Sequence, residues 1–203
     1  MKTIIALVLS ALAFNSFAGD ILPHKGIIGI KGKFSGEKQA IFKYSTERDN
    51  KPGIVEIKTF KWTPEGLEPT KEIAAFPPIQ EVEPGKTYSI KVISKVKAEA
   101  IQKTYRIMVA YREQKDENDT EPKVSLPIDI SLPIFIKPNV EEVIKLESKQ
   151  DGKNWLVKNV GNATYKTGKY LVDGVQVEKL TYILPGQEIT IEGKSVEFGA
   201  SVE

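Results

Sequence analysis

Val124-Ser125-Leu126-Pro127-Ile128-Asp129-Ile130-Ser131-Leu132-Pro133-Ile134-Phe135-Ile136 is the run on which the reading of this chain turns. Every even position is aliphatic, and the odd positions carry Ser, Pro, Asp and one Phe. This is period-2 patterning, the signature of a β-strand with one apolar face, held about twice as long as an ordinary strand of ~5–6 residues. At ~3.3 Å per residue it spans roughly 40 Å. Pro127 and Pro133 each remove a ladder donor, which argues against a central strand. Both fall at odd positions, so both missing N–H groups lie on the same lateral side. An edge strand, aliphatic on one face and open along its proline side, satisfies all of this. Two readings of the aliphatic row remain open. Either it is ordinary sandwich core, or part of it lies beyond the sheet's own core and is lent to a partner. Exposed aliphatic edges are aggregation hazards that proteins otherwise blunt, and pairing with a partner is the use that explains keeping one.

Upstream of this run, Glu113 to Lys123 (E-Q-K-D-E-N-D-T-E-P-K) is polar and acidic throughout. It has nothing to bury, so a solvated mobile loop is expected. Before it, short segments rich in β-branched and aromatic residues follow one another: Ile21 to Ile30, Ala40 to Tyr44, Gly53 to Trp62, Tyr88 to Val96 and Thr104 to Tyr111. Turn signals separate them at Asn50-Lys51-Pro52-Gly53, Pro64-Glu65-Gly66, Pro77-Pro78 and Pro84-Gly85. Val96 to Gln102 is open to a short helix or an extended connection. Downstream, Lys137-Pro138-Asn139 ends the long strand. A smaller pattern follows at Val143 to Leu146, Trp155 to Val157, Lys169 to Val172, Val175 to Val177 and Glu188 to Glu192. Asp173-Gly174 between apolar flanks marks a hairpin. Strands and turns without intervening helices predict an all-β chain of antiparallel sandwiches. The expected division is a leader over 1–18, a first domain over 19–138 that includes the long strand, and a small second domain over 139–203. The second is small for a unit without disulfides and is expected to lean on the first.

Met1 to Ala18 opens with Lys2, continues with the apolar run Ile4 to Phe14 and closes on Ser16-Phe17-Ala18. This reads as a secretory signal peptide cleaved before Gly19, since the apolar run is short of the ~20 residues that span a bilayer. An exported mature chain without membrane insertion is expected. The chain has no cysteine, so thiol chemistry, disulfides and Cys-ligated metal are absent. A formal net charge of +2 gives no general pull toward nucleic acid.

Catalytic signals are thin. His24 is the single histidine, and no G-x-S-x-G elbow or H-E-x-x-H motif accompanies it. No enzymatic activity, cofactor or metal site is expected. Asn118 and Asn162 head glycosylation-type sequons, a cheap match that matters only in a eukaryotic secretory route. Trp62 and Trp155 read as core aromatics of two sandwiches, with an exposed sugar-stacking surface as the alternative. That alternative defines a competing function, an exported two-domain adhesin or carbohydrate-binding module.

Several motifs, in order, resemble the periplasmic chaperones of chaperone–usher pili. They are Phe60-Lys61-Trp62, Phe76-Pro77-Pro78-Ile79 with Val82-Glu83-Pro84-Gly85-Lys86, and Thr104-Tyr105-Arg106-Ile107. Ile130-Ser131-Leu132-Pro133-Ile134-Phe135-Ile136-Lys137-Pro138 is similar to the strand ending of the archaic, spore-coat-U-like and Csu-like branch. Leu156-Val157-Lys158-Asn159-Val160-Gly161-Asn162 and Leu184-Pro185-Gly186 resemble turns of the family's second domain. The resemblance implies two immunoglobulin-like domains and a periplasmic chaperone that caps incomplete pilin subunits by donating a strand, then delivers them to an outer-membrane usher. By position, it implies a donor row of Val124, Leu126, Ile128, Ile130 and Leu132. One departure stands out. Better-known members hold the subunit's C-terminal carboxylate with an Arg on the first strand and a Lys on the donor strand. Here the Lys position is Pro133, and the first strand offers Lys25. Arg106, next to the donor strand, is the other candidate anchor, because its guanidinium fork matches a carboxylate.

Overall fold

The β-branched runs and their Pro and Gly punctuation fold into strands, and the computed structural model contains no helix among the described residues, which are 29–31, 39–46, 48, 51–114 and 129–201. The strands are β1 (Gly29–Lys31), β2 (Gln39–Ser45), β3 (Gly53–Thr63), β4 (Gly66–Pro69), β5 (Ile73–Phe76), β6 (Ile79–Val82), β7 (Thr87–Ser94), β8 (Lys103–Glu113) and β9 (Asp129–Ile136). They continue as β10 (Leu146–Asp151), β11 (Asn154–Asn159), β12 (Tyr165–Val172), β13 (Val175–Ile183), β14 (Glu188–Glu192) and β15 (Val196–Phe198). One antiparallel sheet has the order β1-β2-β7-β5, and the sheet facing it runs β4-β3-β8-β9, with β6 also on β3. The later strands form two three-stranded sheets, β10-β11-β14 and β13-β12-β15. The architecture is therefore two antiparallel β-sandwiches, the second the smaller.

The first core is built by alternation. β2 buries Ala40, Phe42 and Tyr44 and turns Ile41 and Lys43 outward. Facing it, β8 buries Tyr105, Ile107, Val109 and Tyr111, and β3 buries Val55 and Ile57. Tyr105 anchors its hydroxyl by donating to Glu72 Oε2 at 2.7 Å, and Tyr111 donates to the Lys51 carbonyl at 2.7 Å. Burial pushes both phenols above their ordinary pKa, Tyr105 with the added effect of its bond to Glu72.

The second sandwich has a thin core of Val157, Tyr165 and Ile183, flanked by Leu146, Trp155, Ile189 and Phe198. It is tied together by a buried polar hub. Asn159 is fully buried, donates through Nδ2 to the Ala163 and Ile183 carbonyls at 2.8 Å each, and accepts from Gly161 N at 3.0 Å. Satisfying every polar atom of a buried amide lets it stabilise instead of cost. Gly161 is required in this turn because a Cβ there would overlap the Val143 carbonyl. The Asp173-Gly174 hairpin forms as expected, with φ of 53° and 76°, joining β12 to β13.

Two expectations change, those for Val143 to Leu146 and for Trp62. Val143 to Leu146 is not a strand before Leu146; residues 141–145 are an extended linker whose Val143 N–H and carbonyl are both satisfied by Asn162. β4, β5, β6 and β15 carry no legible pattern, because three or four residues are too few to show a period. Of the two forms open to Val96 to Gln102, a short helix or an extended connection, it takes the non-helical connection. Trp62 lies outside the first core, on the opposite face of its sheet, while Trp155 flanks the second core.

Candidate functional site

β9 is an edge strand. It pairs antiparallel with β8 from Lys103↔Ile136 to Ala110↔Asp129, and no strand among the described residues lies on its other side. The register runs unbroken past Arg106↔Pro133, so the missing donor of Pro133 belongs to the open side. The even residues point inward, and their burial is graded. Ile134 and Ile136 are fully inside the first core, whereas Leu132 and Ile130 are half-buried and only pack against its margin. The aliphatic row thus passes from the interior of its own sandwich to the margin as it is followed back to Ile130.

The odd face of β9 forms a different site. Arg106 projects from the outer face of β8, where its Nη1 donates to Ser131 Oγ at 3.0 Å. Its guanidinium carbon sits 3.8 Å from the centre of the Trp62 ring and 5.8 Å from that of Tyr182 on β13. Trp62 meets Tyr182 edge-on at 5.3 Å between centroids, and Phe135 lies 6.1 Å from Tyr182 and 6.3 Å from Trp62. Three strands of the first sandwich and one of the second therefore converge on one cation. Desolvation lowers the Arg106 pKa, yet an arginine stays charged at any physiological pH. Among the described residues no carboxylate lies within ion-pair distance of it. A desolvated cation held by π-faces and a hydroxyl, with part of its N–H fork unspent, is suited to bind an anionic oxygen pair.

Beside this cluster, Trp62 and Lys103 from the first sandwich and Leu184 and Pro185 from the second line a cavity of about 430 Å³. The clasp between the sandwiches is polar. Asn162 donates through Nδ2 to the Ala100 and Glu141 carbonyls at 3.1 and 2.9 Å and accepts from Val143 N at 2.7 Å. Gln102 N donates to the Asn162 carbonyl at 2.8 Å, and Thr164 N to Gln102 Oε1 at 2.9 Å. The Asn162 amide is thus spent on holding the two sandwiches together, which leaves its sequon no structural room as a glycan acceptor.

Of the expected donor row, Ile130 and Leu132 are placed on β9. Val124, Leu126 and Ile128 lie outside the described residues, as do Lys25, His24, the leader, Asn118 and most of the acidic segment. Arg106 is brought beside β9 through Ser131, as its neighbouring position suggested. Its aromatic partners were not anticipated. Phe135 was the one apolar residue at an odd position of the long run, a signal for a second use of that face. Nothing in the sequence links Tyr182 to Arg106.

No protein-family model matches the chain, and no curated protein is significantly similar to it in sequence. Solved structures do match. A chain of the complex between the Salmonella enterica SafA pilin and the SafB chaperone superposes with a TM-score of 0.66 at 13% identity, covering 86% of this chain and 93% of that one. The E. coli chaperone DraB gives 0.62 at 12% identity, covering 85% and 94%. A chain of the CsuC–CsuE chaperone–tip adhesion subunit pre-assembly complex, from the archaic chaperone-usher Csu pili of Acinetobacter baumannii, gives 0.59 at 15% identity, covering 80% and 89%. At these identities the likeness is one of fold. It extends over both sandwiches, so this chain has the two-domain all-β fold found in pilus chaperones.

Proposed function

We propose that this chain is a periplasmic chaperone of pilus assembly, with domains over 19–138 and 139–203 following a cleaved leader. It binds an incomplete, β-rich pilin subunit by lending it the N-terminal part of the β9 run, and it passes the subunit to an outer-membrane usher. No reaction, cofactor or metal is involved. The single observation that carries this reading is the graded burial of an open edge strand: Ile134 and Ile136 complete the chain's own core, while Leu132 and Ile130 are only half-buried at its margin. Strand addition draws affinity from main-chain hydrogen bonds and selectivity from alternate side chains. Each aliphatic side chain fully buried by the partner contributes ~1.5–3 kcal/mol. Val124, Leu126, Ile128, Ile130 and Leu132 would together offset much of an association cost of ~4–15 kcal/mol.

Arg106 is the proposed anchor for the subunit's terminal carboxylate, with Lys25 as the other basic candidate. Ser131 orients the guanidinium by accepting one of its N–H groups, and Trp62 covers its face. The adhesin or carbohydrate-binding alternative draws no support from Trp62, whose ring face is covered by Arg106 and whose ring is met by Tyr182.

The test is capture of a co-expressed pilin by Ile128→Asp. A charge in the donor row should abolish co-purification while circular dichroism and unfolding remain those of the parent. Undiminished capture by a folded variant would overturn strand donation.

A further inference from the structure

We infer that Tyr182, on β13 of the second sandwich, is a positioning residue for Arg106, so that anion capture on the first sandwich depends on the seating of the second. The inference rests on the anchor role proposed above for Arg106 and adds a partner to it.

The argument is geometric. A guanidinium has two chemically distinct surfaces: its face binds aromatic rings and its edge donates hydrogen bonds. At Arg106 the Trp62 ring occupies the face at 3.8 Å. Ser131 Oγ takes one N–H of the edge. Stacking and carboxylate binding therefore do not compete, and stacking fixes the plane in which the remaining edge presents its donors. That plane is only as firm as Trp62. The indole sits near the end of β3, and its rotation is limited by Tyr182, which meets it edge-on at 5.3 Å, and by Phe135 at 6.3 Å. Tyr182 also contributes its own ring to the guanidinium at 5.8 Å. Of these supports, Trp62, Ser131 and Phe135 belong to the sheet that carries Arg106; Tyr182 alone reaches it from the other sandwich. Burial raises the Tyr182 pKa, so the ring faces the cation as a neutral phenol.

The consequence is a coupling between domain seating and anchoring. Seating, held by the hydrogen bonds of Asn162 with Ala100 and Gln102, brings Tyr182 against Trp62 and sets the fork. A carboxylate bound by that fork in turn favours the seated arrangement, because linkage acts both ways. A preset fork also loses less side-chain freedom when it binds.

The test compares a synthetic peptide of alternating valine and threonine ending in a free carboxylate with its C-terminally amidated twin, both titrated against the full chain. The readout is the ratio of the two affinities, which a general loosening of the fold does not move by itself. The parent should prefer the carboxylate, and Arg106→Gln should bring the ratio to one. Tyr182→Leu keeps apolar volume and removes the ring, and it should lower the ratio about threefold to tenfold, the range an aromatic–cation contact supports; Tyr182→Phe should keep the ratio. A ratio unchanged in Tyr182→Leu but lost in Arg106→Gln overturns the positioning role and leaves the anchor standing. A parent ratio of one overturns the anchor, and this inference with it.

Discussion

The two halves of β9 share one pattern and differ in what they serve. From Leu132 back to Asp129 the strand runs along the margin of the first core, whereas Ile134 and Ile136 are sealed inside it. Both halves pair with β8, and among the described residues neither has a strand on its other side. The contrast shows how one strand can be held firmly by its own protein and still offer an edge. The sealed half anchors the strand, and on the reading proposed here the marginal half is where a partner's side chains find room. A strand buried along its whole length would have no surface to lend, and one exposed along its whole length would have no fixed register.

The sharpest way to break this contrast is Ile134→Ala. It removes a side chain with no exposed surface, packed opposite Tyr105, and should cost about 2–5 kcal/mol in urea unfolding. A cost below about 1 kcal/mol would place Ile134 with the marginal half. Next comes pH. Tyr105, the register partner of Ile134, and Tyr44 and Tyr111 all have pKa values raised chiefly by burial. The folded state retains these phenolic protons where the unfolded chain, with its ordinary value of about 10, has lost them. Their contribution is therefore fully present below about pH 10 and is lost as pH rises above it. Stability measured by denaturant should be level through neutrality and fall in strong alkali; stability that rises there would contradict the burial of these rings. Smaller still, Leu132→Ala and Ile130→Ala should each cost about 1 kcal/mol or less while weakening pilin capture more than their stability loss accounts for. Equal losses in both assays would erase the distinction between the halves. The smallest stability effect belongs to Arg106→Gln, within about 1 kcal/mol, because the lost cation–π contact of ~0.5–2 kcal/mol is offset by relief of a desolvated charge. A large drop in thermal stability would make Arg106 a structural prop instead of an anchor.

Much of this is legible in the sequence. The period-2 alternation of Ile130 to Ile136 is local and strict, and the parity of Pro127 and Pro133 pointed to an edge. β2, β3, β7 and β8 were visible for a related reason: their β-branched and aromatic residues, such as Phe42 and Tyr44 or Ile107 and Val109, lie between turn signals. Other features were not legible because their cause is distant. Val143-Ile144 has strand-forming residues, but its backbone is claimed by Asn162, and the linker stays out of any sheet. Trp62 looked like core, since a tryptophan in a strand usually is. Its position on β3 puts it on the outer face, where Tyr182 from 120 residues further along covers it.

By itself, the amino-acid order determined that the chain is built of antiparallel strands, that its longest apolar alternation lies on an edge, and which side of that edge stays open. These follow from backbone geometry, since side-chain parity and the missing proline donor are properties of a strand wherever it lies. Only the tertiary structure decided where along β9 the row passes from the interior to the margin of its own core, and that Arg106 is held by rings from two sandwiches. Both depend on how far one packed layer reaches over another, which is a sum over contacts between residues far apart in sequence and is written in no single segment.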